Sequence, residues 1–78
     1  MKLDRTDAAL LRRLMDYPHG LDARQAEPVR ERIAALRAQG LVAGELVLTV
    51  TDLGVRHWVA SVLEDAGTPI PPGLLPGS

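Results

Sequence analysis

Leucines near the start of the chain recur at the spacing of one helical face. The apolar positions that share this face are Leu3, Leu10, Leu11, Leu14 and Met15. Such a pattern predicts an amphipathic helix from Asp4 to Asp16, which Asp4 or Thr6 is suited to cap. Pro18 and Gly20 then prevent the helix from continuing.

Two further helical segments are predicted before residue 40. Residues 21–26 are too few for a full helix, but Asp22 is placed to cap one or two turns. Pro28 fits the first position of the next helix, where its missing amide hydrogen has no partner to lose. One side of that helix is apolar, with Val29, Ile33 and Leu36. Gly40 favours a helix end, so we expect this helix from Pro28 to Gln39.

Residues 41–50 have the composition of a β-hairpin. A tight turn at Gly44 and Glu45 would pair Val42 with Val47 and Leu41 with Leu48. Because side chains alternate along a strand, four would face the core: Leu41, Leu46, Leu48 and Val50. Val42 and Val47 would then face outward, and this valine pair is a candidate contact surface for a partner.

A last helix is predicted from Thr51, a suitable N-cap, to about Ala66, and Gly67 would end it. Its apolar face is formed by Val55, Val59, Val62 and Ala66, with Trp58 and Leu63 on the flanks. Residues 67–78 contain four prolines and three glycines without a periodic pattern, which indicates an extended or disordered tail. Two alternatives are a strap formed by Ile70, Leu74 and Leu75, or a polyproline-type ligand for another protein.

Composition favours one small cytoplasmic domain, residues 1–66, followed by the tail, residues 67–78. The chain has 78 residues, of which 46% are hydrophobic and 24% charged, so it can form a core and a solvated surface. It contains no cysteine, which excludes disulfides and thiolate metal sites. No apolar run approaches the roughly 18 residues that span a membrane.

The sequence gives no indication of catalysis. His19 and His57 stand far apart, without a second histidine at metal-ligand spacing. The serines have no obvious partner base, and no glycine-rich phosphate loop is present. We therefore expect a non-enzymatic protein with no catalytic residue, no metal and no cofactor.

Charge argues against a dedicated nucleic-acid binder. Nine basic and ten acidic side chains give a formal net charge of -1, whereas DNA-binding proteins usually carry a positive excess. The basic residues are almost all arginine, with Lys2 the exception. Arginine suits planar contacts with phosphate, guanine or carboxylate, so the position of each arginine matters more than the total.

Two stretches resemble the winged helix-turn-helix family, particularly MarR/PadR-like bacterial regulators. In ERIAALRAQGLV a helix leads through Gly-Leu-Val into a strand, and in LTVTDLGVRHWV a strand runs into a helix that begins Thr-x-x-Gly. The resemblance covers roughly Asp4 to Ala66. It implies an α+β, mostly α fold with three helices and a short two-stranded wing hairpin, and a role in DNA-binding transcription regulation by site occupancy.

If the resemblance holds, the helix from Pro28 to Gln39 lies near the major groove of double-stranded DNA. Its outermost positions would be Glu27, Glu31, Ala34 and Ala38, with arginines on both flanks. The predicted DNA contacts are Arg24, Gln25, Arg30 and Arg37. Surface ion pairs are an equally good explanation of the arginines.

Partner contacts are predicted on two surfaces. Relatives commonly dimerise through terminal helices, which makes Trp58 and Val62 candidates for a homodimer interface; the alternative for Trp58 is packing at the core edge. The second hypothesis for the whole chain is a winged domain that binds protein. It would use the ridge of Val42 and Val47, the acidic strip of the helix before the wing, or the tail.

Overall fold

The structure, a computed structural model, describes residues 3–76 and has the α+β class that the sequence predicts. Helix α1 spans Arg5–Met15, strand β1 Leu21–Asp22, a 3₁₀ helix Ala23–Val29 and helix α2 Arg30–Ala38. Strand β2 spans Val42–Ala43, strand β3 Val47–Val50 and helix α3 Asp52–Asp65. Two ends of the predicted parts of the chain lie outside the described residues: residues 1–2 of the domain and residues 77–78 of the tail.

The predicted caps of the first and last helices are confirmed. A side-chain oxygen of Asp4 accepts a hydrogen bond from the Thr6 amide at 3.3 Å, and α1 begins at the next residue after Asp4. The Thr51 hydroxyl accepts from the Gly54 amide at 2.9 Å. Both side chains therefore satisfy amide groups that have no partner within the helix.

The boundary between the second and third helical segments differs from the prediction. Asp22 does cap the short segment, because its carboxylate accepts from the Arg24 amide at 2.9 Å. However, that segment continues as a 3₁₀ helix through Pro28, and α2 begins only at Arg30. The fixed φ of proline suits a 3₁₀ turn, so Pro28 need not mark the start of an α-helix.

The sheet has three antiparallel strands in the order β1-β3-β2, rather than the two predicted. The additional strand, β1, pairs Leu21 with Leu48 and Asp22 with Val47. A two-residue strand carries almost no periodic signal, and it forms because β3 supplies a partner from a distant part of the chain. The central strand is therefore β3, which joins the 3₁₀ region to the hairpin.

The predicted hairpin register is wrong. Val42 pairs with Val50 and Ala43 with Thr49, so the loop is longer than a two-residue turn. The register differs from the prediction by an odd number of residues, which moves a side chain to the opposite face of the sheet. Val42 is consequently 2% exposed instead of facing outward, and Leu46, predicted to be in the core, is 83% exposed.

The core lies between α1, α2 and the sheet, and its largest fully buried side chains are Leu11, Leu14, Leu36, Leu41 and Leu48. The predicted inward face of α3 is wrong. Gly54, Ala60 and Ser61 are its buried residues, while Val62 is 44% exposed. Small residues carry little hydropathic signal, so the valines dominated the sequence pattern although none of them is fully buried.

The structure describes the tail through residue 76, and the tail contacts α3. Ile70, Leu74 and Leu75 are half-buried, and an Arg56 guanidinium nitrogen lies 3.5 Å from the carbonyl oxygen of Gly73 as a hydrogen-bond donor. Among the alternatives for the tail, the half-buried aliphatic side chains and this hydrogen bond favour the strap.

Candidate functional site

Arg24, a predicted DNA contact, forms an ion pair within its own turn. Its guanidinium group donates to both carboxylate oxygens of Asp22, with the shortest distance 2.8 Å. These hydrogen bonds from Arg24 lower the pKa of Asp22 to about 2, so the carboxylate stays charged near neutral pH. The Arg24 side chain remains 90% exposed.

The other predicted basic contacts also have partners. Arg30 pairs with Glu27 at 3.1 Å and is 73% exposed, while the Nε of Arg37 donates to the carbonyl oxygen of Gly44 at 2.9 Å. Arg37 thus fastens α2 to the hairpin loop. Gln25 is exposed, and its side chain makes no hydrogen bond with another described residue. The four predicted residues lie on the 3₁₀ helix and α2, and each of the three arginines already has a hydrogen-bond partner.

Arg32, on the opposite flank of α2, joins this helix to the start of α1. Its guanidinium group donates to Asp4 at 3.1 Å and Asp7 at 3.3 Å. The hydrogen bond from Arg32 is the largest cause that lowers the pKa of Asp4. Arg32 is therefore a structural link between two helices.

The surface formed by the 3₁₀ helix and α2 has balanced charge. These two elements carry four arginines, of which Arg32 pairs with α1. The other three guanidinium groups, of Arg24, Arg30 and Arg37, are matched by three carboxylates, of Glu27, Glu31 and the adjacent Asp22. Exposed ion pairs contribute at most about 1 kcal/mol, so a phosphate can displace one. The displaced carboxylate nevertheless stays close and repels the phosphate. Binding to a polyanion therefore gains little from this surface.

An apolar surface lies at the hairpin loop, and we call Leu46 and Val47 the loop patch. Leu46 is 83% and Val47 51% exposed. The Val47 side chain packs over Gly20, where a Cβ would overlap one of its methyl groups. His19 and Arg24 line the shallow depression beside the patch. The sequence predicted an outward Val47 but missed Leu46, because its direction depends on the hairpin register.

The predicted dimer residues of α3 lie in different environments. Trp58 is half-buried against the core, and the guanidinium carbon of Arg12 lies 6.0 Å from the centroid of its ring. That distance is the outer limit of a cation–π contact. Val62 is more exposed, and Val55 and Val59 beside it are half-buried. Trp58 thus packs at the core edge while its helix keeps an apolar outer side.

Val42, the remaining predicted partner contact, lies inside the core of this chain. A side chain that is 2% exposed has almost no surface to offer a partner. The predicted ridge of Val42 and Val47 therefore does not exist, since the two residues lie on different faces of the sheet. The loop patch replaces it as the exposed apolar surface of the hairpin.

Within residues 3–76, no group of three or more histidine or acidic side chains is arranged to hold a metal ion. The same residues contain no helix with the length and apolar character to cross a membrane. Burial lowers the pKa of His57, which favours the neutral imidazole. The His57 imidazole makes no hydrogen bond with another described residue.

Comparison with known proteins finds no matching family model, no matching curated protein and no matching solved structure. The resemblance stated from the two sequence stretches thus remains a prediction.

Proposed function

We propose that this chain is a winged helix domain that binds another protein through the loop patch. The order of elements supports the fold assignment: α2 leads directly into the β2-β3 hairpin, and β3 lies between β1 and β2. The hairpin loop takes the position of the wing. This loop exposes Leu46 and Val47, which are apolar. Contact with a nucleic acid would need basic side chains there.

The exposure of Leu46 is the observation that carries the proposal. A leucine that is 83% exposed leaves nearly all of its apolar surface in water. Burying such a side chain in a partner contributes roughly 1.5–3 kcal/mol. Together with Val47, Leu46 can supply the apolar centre of a protein–protein contact.

The surroundings of the loop patch fit a protein interface. Glu45 and the Asp22–Arg24 ion pair lie beside an apolar centre. An apolar centre with a mixed polar rim is the usual anatomy of a protein–protein contact. The balanced rim favours a partner of mixed surface charge over a polyanion.

Double-stranded DNA is the second candidate partner. Gln25 and Arg24, both exposed near the start of the 3₁₀ helix, favour it. The exposed side of α2 also carries small side chains, which would allow the helix to approach DNA closely: Ala34, Ala35 and Ala38. The balanced charge of this surface argues against it. The two candidates therefore predict different responses to salt and to substitution.

Photo-crosslinking in the cells that produce the protein tests the proposal. A photoreactive residue at position 46 should give a discrete protein adduct, whereas the same residue at position 34 should not. With the purified partner, Leu46→Ser should weaken binding about tenfold or more because it removes the apolar anchor. Ala43→Ser, an exposed change on β2, is the control and should alter affinity less than about twofold.

A duplex titration tests the second candidate. For a protein binder we expect a Kd for nonspecific duplex weaker than about 10⁻⁴ M at low salt. Tighter binding, with a salt slope that falls by about two when Arg24→Gln and Arg30→Gln are combined, would contradict the main proposal in favour of DNA. If position 46 gives an adduct but Leu46→Ser leaves the affinity for that partner unchanged, the main proposal is contradicted as well.

The homodimer remains a separate proposal. The outer side of α3, with Val62 exposed and Trp58 at its edge, is the surface that would serve it. Sedimentation at several concentrations measures the dimerisation constant, and Val62→Asp should abolish any dimer through this surface.

A further inference from the structure

A groove between α1 and the 3₁₀ helix has an apolar floor. Leu14, Leu21 and Ile33 form this floor, and all three belong to the buried core. The groove encloses about 220 Å³. Chain packing therefore leaves an apolar concavity at the point where α1, β1 and α2 meet.

The sides of the groove are apolar as well. Leu10 of α1 stands on one side and Val29, at the end of the 3₁₀ helix, on the other. Both are half-buried and pack against the core. Water in such a groove finds few hydrogen-bonding groups, so an apolar ligand displaces it favourably.

The polar groups of the groove are Arg13 and Gln25. Arg13 is exposed, and its guanidinium group makes no ion pair or hydrogen bond with any residue in the described range 3–76. This distinguishes it from Arg24, Arg30 and Arg32, each of which pairs with a carboxylate. A cation without a partner beside an apolar groove is complementary to a ligand with one negative charge and an apolar body.

We propose that this groove binds a small amphiphilic monocarboxylate. The apolar body lies on Leu14, Leu21 and Ile33, and the carboxylate accepts two hydrogen bonds from the guanidinium group of Arg13, a geometry that arginine favours. At roughly 30 Å³ for each water-sized group, the groove holds about seven such groups, close to the eight non-hydrogen atoms of a six-carbon acid. The groove shares no residue with the loop patch, so this site is independent of the proposed function.

Methyl NMR with hexanoate tests the site, with hexan-1-ol and hexylammonium as probes of the same length. Hexanoate should shift the methyl signals of Leu10, Val29 and Ile33 with a millimolar Kd, as expected for so small a ligand. Hexan-1-ol should bind more weakly and hexylammonium weakest, because only the carboxylate complements Arg13. Equal affinity for the three probes would overturn the proposal.

Two matched variants locate the carboxylate. Arg13→Gln should weaken hexanoate binding about three- to tenfold and leave hexan-1-ol binding unchanged, because it removes a charge-assisted hydrogen bond. Arg5→Gln removes the same charge from the same helix, outside the groove, and should leave both affinities unchanged. An equal loss in the two variants would show a general field effect and overturn the assignment of Arg13.

The methyl signals also report on the fold and on other occupants. Arg13 is exposed, so Arg13→Gln should keep the dispersed methyl spectrum of the folded chain. Groove signals that shift with protein concentration in the absence of ligand would show that a second copy occupies the groove, which would overturn the proposal. Methyl signals that do not respond to hexanoate at about ten times the expected Kd would also overturn it.

Discussion

Helices α1 and α3 both begin at a capped residue and contact each other, yet they bury different kinds of side chain. Helix α1 packs through Leu11 and Leu14, which are fully buried. Helix α3 buries only the small residues Gly54, Ala60 and Ser61, while its larger Leu53 and Trp58 are half-buried at the core edge and Val62 is 44% exposed. Large side chains therefore fill the core under α1, whereas α3 is positioned by close approach.

The first turn of α3 shows what close approach requires. The carbonyl oxygen of Leu41 accepts from the Thr51 amide at 3.1 Å and lies where a Cβ on Gly54 would be. The Thr51 hydroxyl also donates to the Gly40 carbonyl oxygen at 2.7 Å. The backbone at the end of α2 thus holds the first turn of α3 in place.

The largest effect on stability should come from the leucines of α1. Leu11→Ala should lower the free energy of unfolding by about 3 kcal/mol, since it removes buried methyl groups and leaves a cavity. Val62→Ala, on the outer side of α3, should change it by less than about 0.5 kcal/mol, because alanine's helix propensity offsets the small loss of burial. Urea denaturation of both variants measures the difference, and similar losses would contradict it.

Close approach at α3 should produce the next largest effect. Gly54→Ala should destabilise the fold by about 2 kcal/mol although alanine favours helices, because the new Cβ must displace the Leu41 carbonyl. Ala9→Gly, on the exposed side of α1, is the opposite change and should cost about 1 kcal/mol from helix propensity alone. Increased stability in Gly54→Ala would mean that α3 does not lie as close to Leu41 as the fold requires.

The same comparison explains which features the sequence could predict. The leucine spacing of α1, its stop at Pro18 and Gly20, and the Thr51 cap are local signals, and the elements follow them. The inward face of α3 could not be read, because Gly54, Ala60 and Ser61 bury backbone rather than large side chains. Hydropathy therefore assigned the core face to the valines.

The candidate site was partly predictable for a related reason. The exposed positions of Arg24, Gln25 and Arg30 follow from helical periodicity, but their ion pairs depend on side-chain geometry. The exposure of Leu46 depends on the pairing of Val42 with Val50 across the hairpin, and β1 exists only through pairing with β3. Such long-range pairing has no signal within a short stretch of sequence.

Removal of the α3 cap should have an intermediate effect. Thr51→Ala should lower the free energy of unfolding by about 1.5 kcal/mol, because the Gly54 amide loses its acceptor and the Gly40 carbonyl its donor. Thr51→Ser keeps the hydroxyl group and should recover most of this loss. Thermal unfolding of the two variants provides the measurement, and equal losses in both would show that the methyl group of Thr51, and not the cap, is responsible.

The smallest expected effect is a difference in pH dependence between the Asp4 cap of α1 and the Thr51 cap of α3. The hydrogen bond from Arg32, followed by that from the Thr6 amide, lowers the pKa of Asp4 below 3.8, its ordinary value. Because the pKa is lower in the folded chain, the cap's contribution is present above pH 3.8 and is lost as the pH falls through the folded pKa. The protection factor of the Thr6 amide, which compares its exchange rate with that of an unfolded chain at the same pH, should therefore fall with acidification. The Thr51 hydroxyl does not titrate, so the Gly54 amide should keep its protection factor until the whole chain unfolds. Arg32→Gln should raise the pKa of Asp4 toward 3.8, measured by NMR titration of its carboxyl carbon. An unchanged pKa in that variant would show that Arg32 does not hold the cap of α1, and the contrast between a charged cap and a neutral one would lose its physical basis.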